Sequence, residues 1–254
     1  MTINAITSIS QFTNVGVVDS NEAVHTITPA LKFAVATSVI NDITTLTNDA
    51  FKFHLRMDTV TATSFKLMIG CNATGTGYAL QFDFSASNKW IRLVTTSGIN
   101  QAYDTVVQEV DMHNRLNFTD AQFIPCVVKL VDNKIQLVYN DFIVIDSAWS
   151  PTETHWGFCN LTASSLVYVS DIFHVNNQIL YGNVNLDGAP DNRGMVMLYN
   201  QSTYEVVDVM EVDTNGEYMM FIDDDPANLN KYFLYGYIQG LGTVQPRGVS
   251  NITL

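Results

Sequence analysis

The stretch CVVKLVDNKIQLVYNDFIVID, Cys126 to Asp146, decides how this chain is read. Three runs rich in Val, Ile and Leu are divided by Asp132-Asn133 and Asn140-Asp141, dipeptides suited to tight hairpin turns. Each run is too short for a stable helix, so the spacing predicts three consecutive antiparallel strands.

The same pattern extends in both directions. In AFKFHLRMD, Phe51, Phe53, Leu55 and Met57 alternate with Lys52, His54, Arg56 and Asp58, as expected for a half-buried strand. SFKLMIGC places Phe65, Leu67, Ile69 and Cys71 on one face by strict alternation, and YALQFDF does so for Tyr78, Leu80, Phe82 and Phe84. WIRLVTT and SLVYVSDIFHV continue the series. No segment keeps a helical period for three turns. Regularly spaced short strands predict an antiparallel sandwich or barrel of about ten to twelve strands over residues 20 to 176.

Composition narrows the function classes. The 254 residues are 47% apolar and 11% aromatic, enough for a packed core. Twelve basic against 25 acidic residues give a net charge of −13, which repels phosphate backbones and anionic lipid surfaces. No nucleic-acid or membrane partner is expected. Cys71, Cys126 and Cys159 are odd in number and far apart, so they read as buried apolar residues rather than a disulfide framework or zinc knuckle. MTINAITSISQF lacks the basic and apolar regions of a signal peptide, so synthesis in a cytoplasm without secretory export is expected.

Composition shifts near Asn176. Residues 179 to 254 hold 3 basic and 10 acidic residues, against 9 and 15 in residues 1 to 178, and are richer in Gly, Tyr and Asp. Three parts are expected: residues 1–19 as a docking arm or first strand, with Ile3, Ile6, Ile9 and Phe12; residues 20–177 as the larger sandwich; and residues 178–254 as a smaller one. In the last part, Leu180, Gly182, Val184 and Leu186 alternate, as do Gly194, Val196 and Leu198. DGAPDN between them reads as the corner of an antiparallel strand pair.

The larger part resembles the concanavalin A-like, laminin-G-type jelly roll. The resemblance rests on the aromatic strand Phe51 to Met57, GYALQFDF at Gly77 to Phe84, the KIQLVYNDFIVID hairpin and the Gly157-Phe158 step. The smaller part resembles the Ig-like sandwich of carboxypeptidase regulatory and transthyretin-like modules, through Asp187-Gly188-x-Pro190, Arg193, Val196-x-Leu198-Tyr199 and Asp213-x-x-Gly216-x-Tyr218. Such modules recur in tailed-phage virion proteins. The resemblance implies an all-β chain, an antiparallel jelly-roll β-sandwich followed by a small Ig-like β-sandwich. It also implies a non-enzymatic virion surface protein of the tail-fibre or adhesin type, partnered by other virion proteins of capsid or tail, by a host glycan or receptor, and by its own copies in a homo-oligomer. A capsid decoration protein, a glycan depolymerase and a carbohydrate-binding module are the alternatives.

The enzyme alternative rests on EVDMH, Glu109 to His113. Laminarinase-type jelly rolls carry Glu-x-Asp-x-x-Glu or Glu-x-Asp-x-Glu, whose carboxylates share one sheet face as nucleophile and acid/base. Here His113 or Asn114 stands where the second Glu belongs, so no catalytic residue is assigned. Scattered histidines at 25, 54, 113, 155 and 174 offer no zinc spacing, and no metal ligand set is assigned. Jelly-roll lectins often hold calcium, for which Asp213, Asn215, Asp223, Asp224 and Asp225 are the densest acidic loops; turn chemistry is the simpler use. No cofactor is otherwise expected. Sugar binding needs an aromatic platform flanked by polar groups. The candidates are Trp90 with Arg92, Tyr103 with Gln101, and His155 with Trp156.

Overall fold

The computed structural model describes residues 3–6, 18–22, 30–33, 38–42, 49–57, 62–85, 89–99, 101, 103–113, 122–131, 133–161, 167–176, 179–186, 189–221 and 232–238. Every regular element among them is a strand. The chain divides into two compact units, Thr2–Val175 and Asn176–Leu254, the latter grouped with Met1.

The larger unit is an antiparallel jelly-roll sandwich. Its strands are β1 (Ile3–Ile6), β2 (Val18–Glu22), β3 (Ala30–Phe33), β4 (Ser38–Asp42), β5 (Asp49–Met57), β6 (Ala62–Cys71), β7 (Thr76–Ser85), β8 (Lys89–Ser97), β9 (Thr105–Asp111), β10 (Ile124–Val131), β11 (Lys134–Tyr139), β12 (Phe142–Ala148), β13 (His155–Asn160) and β14 (Val167–Asn176). One sheet runs β12-β11-β10-β5-β14-β3-β2, with β1 also paired to β14; the other runs β4-β13-β6-β7-β8-β9. The opening stretch supplies β10, β11 and β12. Val131 pairs with Lys134 at the end of the β10–β11 ladder, and Asn140 and Asp141 both take positive φ, 50° and 65°, as a twisted hairpin turn requires.

Alternation sorts side chains between core and outer face. Phe51, Phe53 and Leu55 from one sheet meet Phe65, Leu67, Ile69, Leu80, Phe82 and Phe84 from the other, all buried, with Met57 and Tyr78 packed against them. The alternation breaks where a bulge enters. Cys71 leaves the inward face and joins Met68, Ala79 and Val94 in a separate cluster. Gly70 causes this: with φ +64° it is skipped in the register, so Ile69 pairs with Tyr78 and Cys71 with Gly77. A second break lies at Asp171 in β14, with φ 49°. Val167 and Val169 point inward before it, Ile172 and His174 after it. His174 thus stacks on Phe51 at 4.7 Å and stands 3.3 Å from the buried Asp49 carboxylate, whose pKa burial raises.

The three cysteines are free and buried. Burial pushes the thiol of Cys71 up to about 12 and that of Cys159 to about 11, and raises Cys126 as well.

In the smaller unit, β15 (Ile179–Asn183) pairs with β20 (Glu217–Phe221), β16 (Asn185–Leu186) with β17 (Ala189–Pro190), and β18 (Gly194–Asn200) lies between β19 (Val206–Glu211) and β21 (Tyr232–Ile238). Val184, Val196, Leu198, Val212, Met220, Tyr232 and Leu234 form its core. The runs around DGAPDN are therefore not paired with each other. The β16–β17 ribbon and a turn at Asp191 carry the chain from one small sheet to the other. Asp191 shapes that turn: its carboxylate accepts hydrogen bonds from the Arg193 amide, Nε and guanidinium at 2.9, 3.0 and 2.6 Å.

Two outcomes test this packing. A Cβ on Gly70 would sit 2.6 Å from Pro151 and 2.9 Å from Trp149, at a φ that side chains resist. Gly70→Ala should therefore cost roughly 2–4 kcal/mol in chemical denaturation. The Arg193 side chain, then its amide, hold the Asp191 carboxyl down at about 2, against an ordinary 3.8. That contribution to stability is present above the ordinary value and lost as pH falls through about 2. Acid unfolding of Asp191→Asn should lack this part of the low-pH slope.

Candidate functional site

The outer face of the six-stranded sheet carries one cluster in which aromatic, cationic and acidic groups meet. Ile91 and Leu93 of β8 point into the core, so Trp90 and Arg92 point out. Register places Trp90 between Asp83 of β7 and Asp111 of β9, and Arg92 between Gln81 and Glu109. A bulge at Val107 makes this possible: Gln108 pairs with Leu93 but Val106 pairs with Val94. The edge strand thus presents Val106 and Glu109, three positions apart, to the same face.

Arg92 is the hub. Its Nε donates to Glu109 Oε2 at 3.1 Å, and its Nη1 to Asp83 Oδ2 at 2.8 Å. Its guanidinium carbon lies 5.3 Å from the Trp90 ring centre and 5.5 Å from that of Tyr103. The Arg92 side chain is only 12% exposed, whereas the carboxylates of Asp83 and Glu109 are 40% and 46% exposed, and Tyr103 is 41% exposed. Ion pairs this open contribute about 0.2–1 kcal/mol each, and cation–π contacts about 0.5–1. Together they fix geometry more than they add stability. The ring pair and both carboxylates are held in place before any ligand arrives.

Tyr103 reaches Arg92 because the connection from β8 to β9 folds back over the sheet. Ile99 donates to the Thr74 carbonyl at 3.0 Å, Asp104 to that of Thr95 at 2.8 Å, and Ser97 Oγ to Asp104 Oδ1 at 3.1 Å. Beneath it lies Lys66, fully buried on β6. Its ammonium donates to the Gln101 carbonyl, Thr96 Oγ1 and the Gly98 carbonyl. Burial lowers the lysine pKa. A buried cation thus pins the loop that carries Tyr103.

Of the five ligand-binding candidates, the structure gathers Trp90, Arg92 and Tyr103. Gln101 lies on the same loop, where its carbonyl is used by Lys66. Trp156 is a correction: it is fully buried, 4.7 Å from Phe51 and 5.8 Å from Phe158, so it cannot serve as a platform. His155 is half-buried on β13, three strands away from β8 in the sheet. Asp83 and Lys66 were not among the candidates, although the alternation of GYALQFDF marks Asp83 as outward.

EVDMH forms the end of β9 and the turn after it. Glu109 braces Arg92, and Asp111 accepts from the His113 amide at 2.8 Å. The strand ends at Asp111, so His113, one of the two residues at the third position of the hydrolase pattern, falls in a turn. Asp213 likewise shapes a turn, accepting from the amides of Asn215 at 2.8 Å and Glu217 at 2.9 Å. Among the described residues no group of three or more His, Cys, Asp and Glu is placed to hold a metal ion. Asn114, Asp223, Asp224 and Asp225 lie outside the described residues, as do Ile9 and Phe12. No helix among the described residues is long and apolar enough to cross a membrane.

No protein-family model matches the chain, and no curated protein matches it. Solved structures do. A carbohydrate-binding module from Bacillus subtilis is 11% identical, covering 62% of this chain and 91% of its own, with a TM-score of 0.44. The legume lectin-like domain from Entamoeba histolytica is 10% identical over 66% and 91%, with a TM-score of 0.43. Sheep galectin-11 is 9% identical over 54% and 96%, with a TM-score of 0.39.

Replacing the buried cation tests the loop anchor. Lys66→Met should keep the fold, since an apolar side chain of similar length fills the space without a desolvated charge. Hydrogen exchange should quicken at the amides of Ile99, Gln101 and Asp104 while the amides of β6 and β7 stay protected.

Proposed function

We propose that the chain is a non-enzymatic binding protein whose jelly-roll unit recognises a glycan on the outer face of β7, β8 and β9. The Trp90–Arg92–Tyr103 cluster carries this reading. Sugar rings offer apolar C–H faces and a rim of hydroxyls, and they bind where aromatic surface lies beside fixed polar groups. Two solvent-accessible rings flank a guanidinium here, and two half-exposed carboxylates are oriented to accept hydroxyl protons.

We place the chain on a virion surface, as a tail-fibre or adhesin-type component, on the resemblance of its two parts to phage modules. The same cluster would serve a carbohydrate-binding module outside a virion equally well. Mass spectrometry of purified particles separates the two settings, and absence of the chain from them removes the virion part.

Glycan-array binding of the purified chain, followed by titration of any hit, tests the site. Trp90→Ala and Tyr103→Ala should each weaken binding about ten-fold or more, the scale of a lost aromatic anchor. His155→Ala should leave it unchanged. Undiminished binding by both ring variants would remove this face from the reading.

A further inference from the structure

The charges around the cluster sort what it can hold. Hydrogen bonds set two carboxylates, Asp83 and Glu109, on one guanidinium, and register places a third, Asp111, opposite the neighbouring Trp90. Asp104 follows Tyr103 in the loop, and Lys66, a second cation on this face, is sealed beneath that loop with its ammonium turned to Gln101. Arg92 is thus already neutralised twice over. An incoming anion would have to displace a bound carboxylate and then sit among the remaining ones. The chain's overall charge of −13 opposes its approach as well.

We infer that the site selects uncharged, hydroxyl-rich glycans and rejects sialylated, uronate-bearing and sulfated ones, with Asp83 and Glu109 as the specificity-determining residues. This rests on the glycan reading above. Arg92 is bonded to Oδ2 of Asp83 and Oε2 of Glu109, and these side chains stay 40% and 46% exposed, so each carboxylate keeps acceptor capacity for ligand hydroxyls. Hydroxyl donors are satisfied there, whereas a ligand carboxylate brings only acceptors and a like charge. The arginine on this surface is a brace, not an anion receptor.

The test uses matched pairs: a neutral oligosaccharide and its sialylated or uronic-acid counterpart, titrated against the full chain at low and high salt. The neutral member should bind about ten-fold or more tighter at low salt, the scale of close like-charge repulsion in water, with the gap narrowing as salt screens it. Glu109→Gln keeps an acceptor for Arg92 and removes a charge, so it should shrink the gap by improving the acidic member. Asp83→Asn should do the same by an independent route. Preference for the acidic member, or a gap untouched in both variants, overturns the inference while leaving glycan binding intact. Failure of every glycan to bind overturns both.

Discussion

The larger unit depends on one inter-sheet contact chain. Trp156 of the six-stranded sheet lies 4.7 Å from Phe51 of its partner sheet and 5.8 Å from Phe158, which in turn meets Phe65 and Phe53. Rings of this size fill the space between two sheets packed about 10 Å apart. Each strand must therefore keep apolar groups on one face only. The outer face is then left to polar chemistry, which is where Arg92 and its carboxylates stand. The site exists because alternation in β7 and β8 that sends Phe82, Phe84, Ile91 and Leu93 inward sends Asp83, Trp90 and Arg92 outward.

Period two is legible in a sequence; its interruptions are less so. The strands of the Cys126–Asp146 stretch and the turn at Asn140-Asp141 follow from residue types alone, because only tight hairpin chemistry fits those dipeptides between apolar runs. Cys71 was misplaced by strict alternation because Gly70 inserts an extra residue into the ladder. A glycine inside a strand hints at such a bulge without saying which neighbours change face. Asp171 does the same in β14 and turns His174 inward beside Asp49. That inversion has no local signal, since it depends on a partner more than a hundred residues earlier.

The binding cluster divides along the same line. Trp90 and Arg92 are two apart in sequence and share a face by simple alternation, so their association was readable. Tyr103 joins them through a loop whose path is set by Lys66, Thr74 and Thr95. A lysine inside an apolar strand reads as a solvated outward residue, and only the fold reveals that the loop covers it. Trp156 failed as a candidate for the complementary reason: tryptophan serves equally as platform or core, and the register of β13 decides between them.

The thiols carry a consequence for the chain's chemistry over time. Cys71, Cys126 and Cys159 are buried, and those of Cys71 and Cys159 are held near 12 and 11. The thiolate is the form that attacks oxidants and disulfides, and it scarcely forms in these buried side chains. Crowded copies of this protein can thus meet an oxidising medium without cross-linking while they stay folded. An oxidised cysteine recovered from such material would date an unfolding event, so the three side chains act as a record of whether the sandwich has ever opened.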